Sequence, residues 1–404
     1  MTSTAALPHA RIQTAAWAVF AIFVLNGFNF ASWASRLPAL RDALQFSESA
    51  MGVLLLSLAV GSMVALPMSG WIMQRLGARR TVLVFAAVNV VGYLAAATAI
   101  EQDSTLALRI ALFLAGAGTG VWDAAMNLEG AVVEQRLGRS IMPRLHAGFS
   151  LGTIIGAGAG AAMAWLEVPL TLHLAVAVVA SFVGVVVSVR RFLPEEVVLP
   201  SAQPGEDRER TSVFSAWLEP RTLLIGLVVL AAALTEGAAN DWISLAVVDG
   251  LDQDNAVGAV GLTVFLVAMT GTRLVGTAVL DRLGRVAVLR LAGGLAFVGL
   301  ALFALVPNLP LALVGVVLWG MGAALGFPVG MSAASDDPVR AAGRVSVVST
   351  VGYTAFFVGP PLIGLLAEHV GYRHALLVIL VPIALGLLVA GAAREQAGPA
   401  TVDR

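Results

Sequence analysis

The sequence predicts an all-α membrane protein of twelve transmembrane helices, arranged as two pseudo-symmetric six-helix halves. Three observations predict it. The 404 residues are 58% hydrophobic and only 12% charged, with a mean hydropathy of +0.89, whereas soluble domains carry about 25% charged residues. Apolar windows of roughly 20 residues, enough to cross a ~30 Å hydrocarbon core, recur twelve times. The chain also repeats itself. Trp33 and Trp242 lie 209 residues apart, Gln74 and Asp281 207, the Gly-x-Gly at Gly116 and that at Gly320 204, and Gly152 and Gly352 200. A separation that falls steadily is expected of a duplicated unit whose second copy has slightly shorter loops.

The elements follow in order. A short polar N-terminus, with Arg11 its only cation, leads into an apolar run over 15–35. That run is longer than the ~7–15-residue apolar region of a signal peptide, so it reads as a retained first span. The remaining windows cover 50–73, 80–100, 105–128, 147–166, 169–189, 222–247, 256–280, 287–306, 309–333, 346–367 and 374–393. Residues 194–221, rich in Pro, Glu and Arg, read as a cytoplasmic linker between an N-terminal half at 1–193 and a C-terminal half at 222–404. There is no Lys, so Arg alone sets the orientation. With the N-terminus inside, nineteen arginines fall in cytoplasmic segments and only Arg36, Arg41, Arg109 and Arg373 outside, while Arg273 lies within a span. Short cytoplasmic loops carry the positive excess, so both termini are expected in the cytoplasm of a multi-pass protein of the cytoplasmic membrane.

Two loops and one helix carry patterned residues. Gly70, Arg75, Gly77, Arg79 and Arg80 follow the second span, and Asp281, Arg282, Gly284 and Arg285 stand at the same place in the second copy. Gly70 would permit close helix approach, Gly77 a tight turn, and the arginines would anchor the loop to the cytoplasmic face. A gating role and simple topology anchoring both account for them. The fifth span has glycines at Gly148, Gly152, Gly156 and Gly160, a smooth stripe of the small-xxx-small kind, on which the two halves could rock. Pro328 and the Gly359-Pro360-Pro361 run break helical hydrogen bonding in spans 10 and 11. Such breaks at membrane depth line a cavity or a hinge.

Charge inside a bilayer costs at least ~2.5–3.5 kcal/mol per group, so intramembrane ionisable residues are functional candidates. Those singled out are Asp123, Glu236, Asp241 and Arg273. Asp123 and Asn127 share one face of span 4, beside Trp122, and Glu134 continues that face toward His146 at the start of span 5. Glu236 falls past the midplane of span 7, with Asp241 and Trp242 nearer the outer boundary. Asp123 and Glu236 are the proton-coupling candidates. Asn26, Asn29, Asn127, Trp122, Asp241 and Trp242 are the substrate-cavity candidates, a hydrogen-bonding and aromatic mixture suited to a sugar- or polyol-like solute. Each has a plainer alternative: Asp123 ties spans 4 and 5 together, Asp241 caps an outer gate, and Arg273 snorkels toward the cytoplasm.

Twelve spans in two halves, the long central loop and the Gly70–Arg80 loop resemble the major facilitator superfamily over nearly the whole chain. Trp122-Asp-Ala-Ala-Met-Asn127, His146-Ala-Gly-Phe-Ser-Leu-Gly152 and Glu236-Gly-Ala-Ala-Asn-Asp-Trp242 resemble its bacterial MosC/YbjJ-like group, distantly similar to fucose permeases. The resemblance implies the major facilitator fold and a permease working by alternating access. Gln74 departs from the acid usual at that place, and span 5 lacks the Gly-Pro step typical of proton-coupled drug antiporters, which weakens an export reading. Secondary transport of a small polar solute, coupled to protons, is the expected function. Efflux of amphipathic compounds and a non-transporting membrane sensor are the alternatives. The solute, protons and the bilayer are the expected partners of a functional monomer, without nucleic acid or cofactor. Without Lys there is no phosphate-binding Gly-x-x-x-x-Gly-Lys loop, and without Cys or His-Glu-x-x-His no metal-hydrolase ligand set, so neither an enzyme nor a metal site is expected.

Overall fold

The computed structural model describes residues 8–138, 141–193, 213–336 and 340–395, and these are almost wholly helical. The helices are α1 (His9–Ala34), α2 (Leu37–Leu44), α3 (Glu48–Ala65), α4 (Ser69–Glu101), α5 (Thr105–Leu137), α6 (Met142–Trp165), α7 (Leu170–Val189), α8 (Pro220–Gly250), α9 (Asn255–Leu305), α10 (Leu309–Ala323), α11 (Gly326–Ala334), α12 (Ala341–Ala375) and α13 (Leu380–Val389). Among the described residues ten helical stretches are long and apolar enough to cross a membrane, two of them 54 and 51 residues long. At ~1.5 Å per residue each of those two is far longer than the ~30 Å core. Each holds a glycine outside helical geometry, Gly77 at φ 75° and Gly371 at φ 75°. Divided there, the stretches become twelve spans. Bulky residues could not hold that left-handed φ without strain.

The chain forms two compact units, Met1–Gln203 with Gln253–Thr263, and Pro204–Asp252 with Val264–Arg404. The first turns of α9 thus group with unit 1, unlike the expected boundary, and Asn255 Nδ2 there donates to Asp42 Oδ2 at 3.3 Å. Most of the expected 194–221 linker lies outside the described residues. Its last part forms a 3-10 turn over Val213–Leu218 before Pro220 opens α8, a position where proline's missing N–H costs nothing.

Within each unit the same contacts recur. A Cβ on Gly92 or Gly118 would overlap the backbone of Ala115 or Asn89, joining α4 to α5. In unit 2 a Cβ on Gly299 or Gly322 would overlap Trp319 or Ala296, joining α9 to α10. These pairs keep the 207- and 204-residue separations found in the sequence. Gly116 lies on Leu58 and Gly320 on Phe265. The kink repeats too, with φ 75° and ψ 162° at Gly77, and φ 73° and ψ 163° at Gly284.

The glycine stripe of α6 lies on α1. Added Cβ atoms at Gly148, Gly152, Gly156 and Gly160 would meet Phe20, the Val24 carbonyl, the Phe28 carbonyl and Ser35 respectively. These contacts are internal to unit 1, which corrects the expectation of a rocking surface between halves. The stripe sets how closely two neighbouring helices of one unit pack.

The faces turned outward are apolar. On α7 Leu172, Val176, Val179, Val183 and Val187 are exposed, at helical spacing, while His173 and Ser181 are buried. That inverts the pattern of a soluble helix and suits a hydrocarbon solvent. Two of the four arginines assigned outside are buried and donate to backbone carbonyls. Arg373 donates to the carbonyls of Gly250, Phe303 and Val306, and Arg36 donates to Val168 at 2.8 Å. The last carbonyls of a helix lack intrahelical donors, and the Arg373 guanidinium supplies them at the ends of α8 and α9, while Arg36 serves the connection between α6 and α7.

Replacing Gly152 by Ala is expected to lower the unfolding midpoint of the purified protein, at an overpacking cost of about 1–3 kcal/mol. Gly158→Ala, whose added Cβ meets nothing within 4 Å, should not lower it. Equal midpoints in thermal unfolding would show that α1 and α6 can separate without cost.

Candidate functional site

Unit 1 places its polar residues on α1, α4 and α5. Asp123 is the nineteenth of 33 residues in α5, near its middle. Its carboxylate is exposed and has no hydrogen-bond or ionic partner among the described residues. Asn127 Nδ2 donates to the Asp123 backbone carbonyl at 2.9 Å, so its amide serves its own helix. Farther along α5 two acids take backbone donors. Glu134 Oε2 accepts from the N–H groups of Ile141 and Met142, at 2.6 and 2.8 Å, capping the start of α6. Glu129, buried, accepts from the Leu193 N–H at 3.1 Å. His146 makes an edge contact with Phe23.

Asn26 and Asn29 are each only 3% exposed. Asn29 Nδ2 donates to Asn89 Oδ1 at 3.3 Å, and Asn89 Nδ2 donates to the Ala115 carbonyl and to Thr119 Oγ1. Asn26 Nδ2 has a weak contact with Met126 Sδ at 3.7 Å. Trp122 and Trp242 are buried. These four cavity candidates are buried in the helix packing of their own units. Asp123, Asn127, Glu236 and Asp241 keep some access. Asn89, which the sequence reading passed over, is the hub that joins α1, α4 and α5. Glu129 lies one residue beyond the span expected over 105–128, because α5 runs on to Leu137.

In unit 2 an ion pair stands where two isolated charges were expected. Arg273 Nη2 lies 2.8 Å from Glu236 Oε2, with the side chains 30% and 25% exposed. Arg273 Nε donates to the Ala324 carbonyl at 3.1 Å. That carbonyl is free for a sequence reason: its helical donor would be the N–H of residue 328, and Pro328 has none. The proline break between α10 and α11 therefore creates an acceptor, the acceptor positions Arg273, and Arg273 compensates Glu236. The expectation that Arg273 snorkels toward the cytoplasm is corrected. Asp241 borders a small recess with Gly237, Trp242, Phe356, Gly359 and Pro360, and its carboxylate has no partner among the described residues.

The two loop motifs share a backbone and differ in what their charges do. In unit 2 Arg285 Nη1 pairs with Asp336 at 2.5 Å, and Arg221 Nη2 reaches the same carboxylate at 2.9 Å. Arg285 also donates to Ser332. Asp336, not singled out in the sequence, is thus the acid that closes this loop, while Asp281 and Arg282 are exposed. Beside it Arg344 Nε donates to Glu219 at 2.6 Å and holds that carboxyl below the usual carboxylate range. In unit 1 Gln74, Arg75, Arg79 and Arg80 are exposed. No side chain approaches Gly70, where an added Cβ meets nothing within 4 Å, so the expected close helix contact there is absent.

A family profile described as Major Facilitator Superfamily matches residues 19–355 and 262–402. The chain belongs to that superfamily. It is 32% identical over 384 residues to the uncharacterized transporter y4wD of Sinorhizobium fredii, covering 92% of this chain and 99% of that protein. It is 30% identical over 381 residues to the membrane protein MosC of Rhizobium meliloti, covering 91% and 86%. Among solved structures, the nucleoside transporter NupG is similar with a TM-score of 0.70 at 15% identity, over 95% of this chain and 98% of that one. The E. coli fucose:proton symporter FucP is similar with a TM-score of 0.62 at 14% identity, over 94% and 98%. At such identities the structures show the shared fold. Helical architecture, outward apolar faces and family together make this a multi-pass membrane transporter of the superfamily.

Arg273→Gln is expected to lower thermal stability, and to lower it less in a Pro328→Ala background, where residue 328 regains an N–H for the Ala324 carbonyl. Unfolding midpoints of the four proteins in that cycle should give a coupling of about 0.5–3 kcal/mol. Strictly additive losses would show that the proline break does not position Arg273.

Proposed function

We propose that this protein is a secondary active transporter that moves a small polar organic solute, sugar- or polyol-like, across the cytoplasmic membrane by alternating access coupled to protons. The observation that carries the reading is Asp123, an uncompensated carboxylate near the middle of an apolar helix. A bare charge at that depth is costly. A cavity that closes and dehydrates around Asp123 would favour closure when a proton or the solute neutralises it. Glu236 differs in kind, because Arg273 already compensates it. In this reading the pair offers a neutral donor–acceptor surface to a hydroxylated solute, and Asn127 and Asp241 are further candidates for solute contact. The names of similar folds, a nucleoside transporter and a fucose:proton symporter, support a polar solute. The protein acts as a monomer in this reading, with both termini cytoplasmic, and needs no cofactor.

Asp123→Asn is expected to abolish proton-driven accumulation while leaving exchange of labelled for unlabelled solute intact, since exchange moves no net proton. Proteoliposomes loaded with the solute identified in a thermal-shift screen of sugars, polyols, amino acids and amphipathic drugs would measure both. Accumulation by Asp123→Asn equal to that of the parent would make Asp123 a structural tie and remove the coupling assignment.

The orientation is open to a simpler test. A tag at the C-terminus and one in the 194–221 segment should both resist labelling from outside intact cells. Labelling of either would overturn the assignment of the cytoplasmic side.

A further inference from the structure

The two copies of the loop motif keep the same glycine kink and an exposed arginine two residues before it, Arg75 and Arg282, but differ in the arginines that follow the kink. In unit 2 the protein supplies the acid: Asp336 takes both Arg285 and Arg221. In unit 1 Arg75, Arg79 and Arg80 are exposed, and none has a hydrogen bond or ion pair among the described residues. Arg75 instead stacks its guanidinium on Trp71, 4.5 Å from the ring centroid.

Chemistry changes in a fixed order along this segment. Met63, Val64 and Met68 present an exposed apolar face, Trp71 follows at 55% exposure, and the three arginines come next. Hydrocarbon, interfacial aromatic and headgroup-level cation succeed one another in the same way across a bilayer boundary. Gly70 leaves the surface beside Trp71 open, since an added Cβ there meets nothing within 4 Å. Gln74, also exposed, stands where the second copy has Asp281. A neutral side chain at that place removes the one negative charge that would oppose an anion among the arginines.

We propose that the Trp71–Arg80 segment of unit 1, the start of α4 on either side of the Gly77 kink, is a binding site for the headgroup of an anionic phospholipid. The phosphate accepts from Arg79 and Arg80, Arg75 on Trp71 marks the interfacial level, and the acyl chains lie along Met63, Val64 and Met68. The proposal does not depend on which solute is moved.

The test uses the full-length protein in zwitterionic micelles carrying phosphatidylglycerol or phosphatidylcholine, with bound lipid counted by native mass spectrometry. Phosphatidylglycerol should be retained in preference to phosphatidylcholine. Gln74→Asp, an exposed change that leaves the fold alone, should weaken its binding about fivefold, the effect of one charge near a headgroup. Arg79→Gln combined with Arg80→Gln should weaken it further, and Asp281→Gln in the second copy should leave it within twofold. Parent-like binding by Gln74→Asp would overturn the site, as would an equal response to Asp281→Gln, which would reduce the effect to total charge. Displacement of the lipid by inorganic phosphate alone would make this a free-anion site and overturn the lipid assignment.

Discussion

Inside hydrocarbon, each backbone N–H and C=O has to find its partner within the protein, and that constraint organises this structure. It makes the chain helical, and it makes every interruption of a helix a local problem with a specific solution. Where Pro328 removes a donor, Arg273 supplies one to the Ala324 carbonyl. Where α8 and α9 end, Arg373 supplies donors to Gly250, Phe303 and Val306. Where α6 begins, Glu134 accepts from its first free N–H groups. Polar side chains that look alike in the sequence are therefore divided between completing the backbone and remaining open to chemistry. Asp123 belongs to the second group and Glu134 to the first.

The duplicated unit shows the same economy in its packing. Gly92 and Gly118 in unit 1, and Gly299 and Gly322 in unit 2, bring paired helices to backbone contact. Without a hydrophobic drive between helices in lipid, such close contact is the main source of cohesion. Glycine recurs at matching separations because any Cβ there would collide with a neighbouring backbone. Side chains not bound by that geometry have diverged. Asn89 in unit 1 ties three helices together, and the matching place in unit 2 holds Ala296.

Fold was readable because hydropathy and glycine spacing are local and periodic. Apolar windows marked the spans, and the falling separation from Trp33–Trp242 to Gly152–Gly352 marked the duplication. The sites were readable only in part. Asp123 and Glu236 stood out because charge is rare at that depth, but the partner of Glu236 is 37 residues away and is brought there by a proline in a third helix. No spacing rule reports that. Asn26 and Asn29 were visible as polar residues in span 1, while their burial depends on α4 and α6 packing against the same helix. Asp336 lay among loop residues and gained its role only when Arg221 and Arg285, 115 and 51 residues away, converged on it.

The contrast between the acids bears on mechanism under the proposed reading. Glu236 carries its countercharge with it, so protonating it would strand Arg273 as an uncompensated cation. Removing one partner of such a pair is strongly unfavourable in a low-dielectric setting, although the partial exposure of both side chains reduces that penalty. Asp123 has no such partner, so taking up a proton removes a charge and strands none. Proton coupling at Asp123 alone therefore asks less of the structure than coupling shared equally between the two acids. Glu236 and Arg273 then act together as a neutral unit whose geometry depends on Pro328. The two halves, alike in backbone, would divide the work: one carries the charge change, and the other keeps its charge constant while it holds the solute.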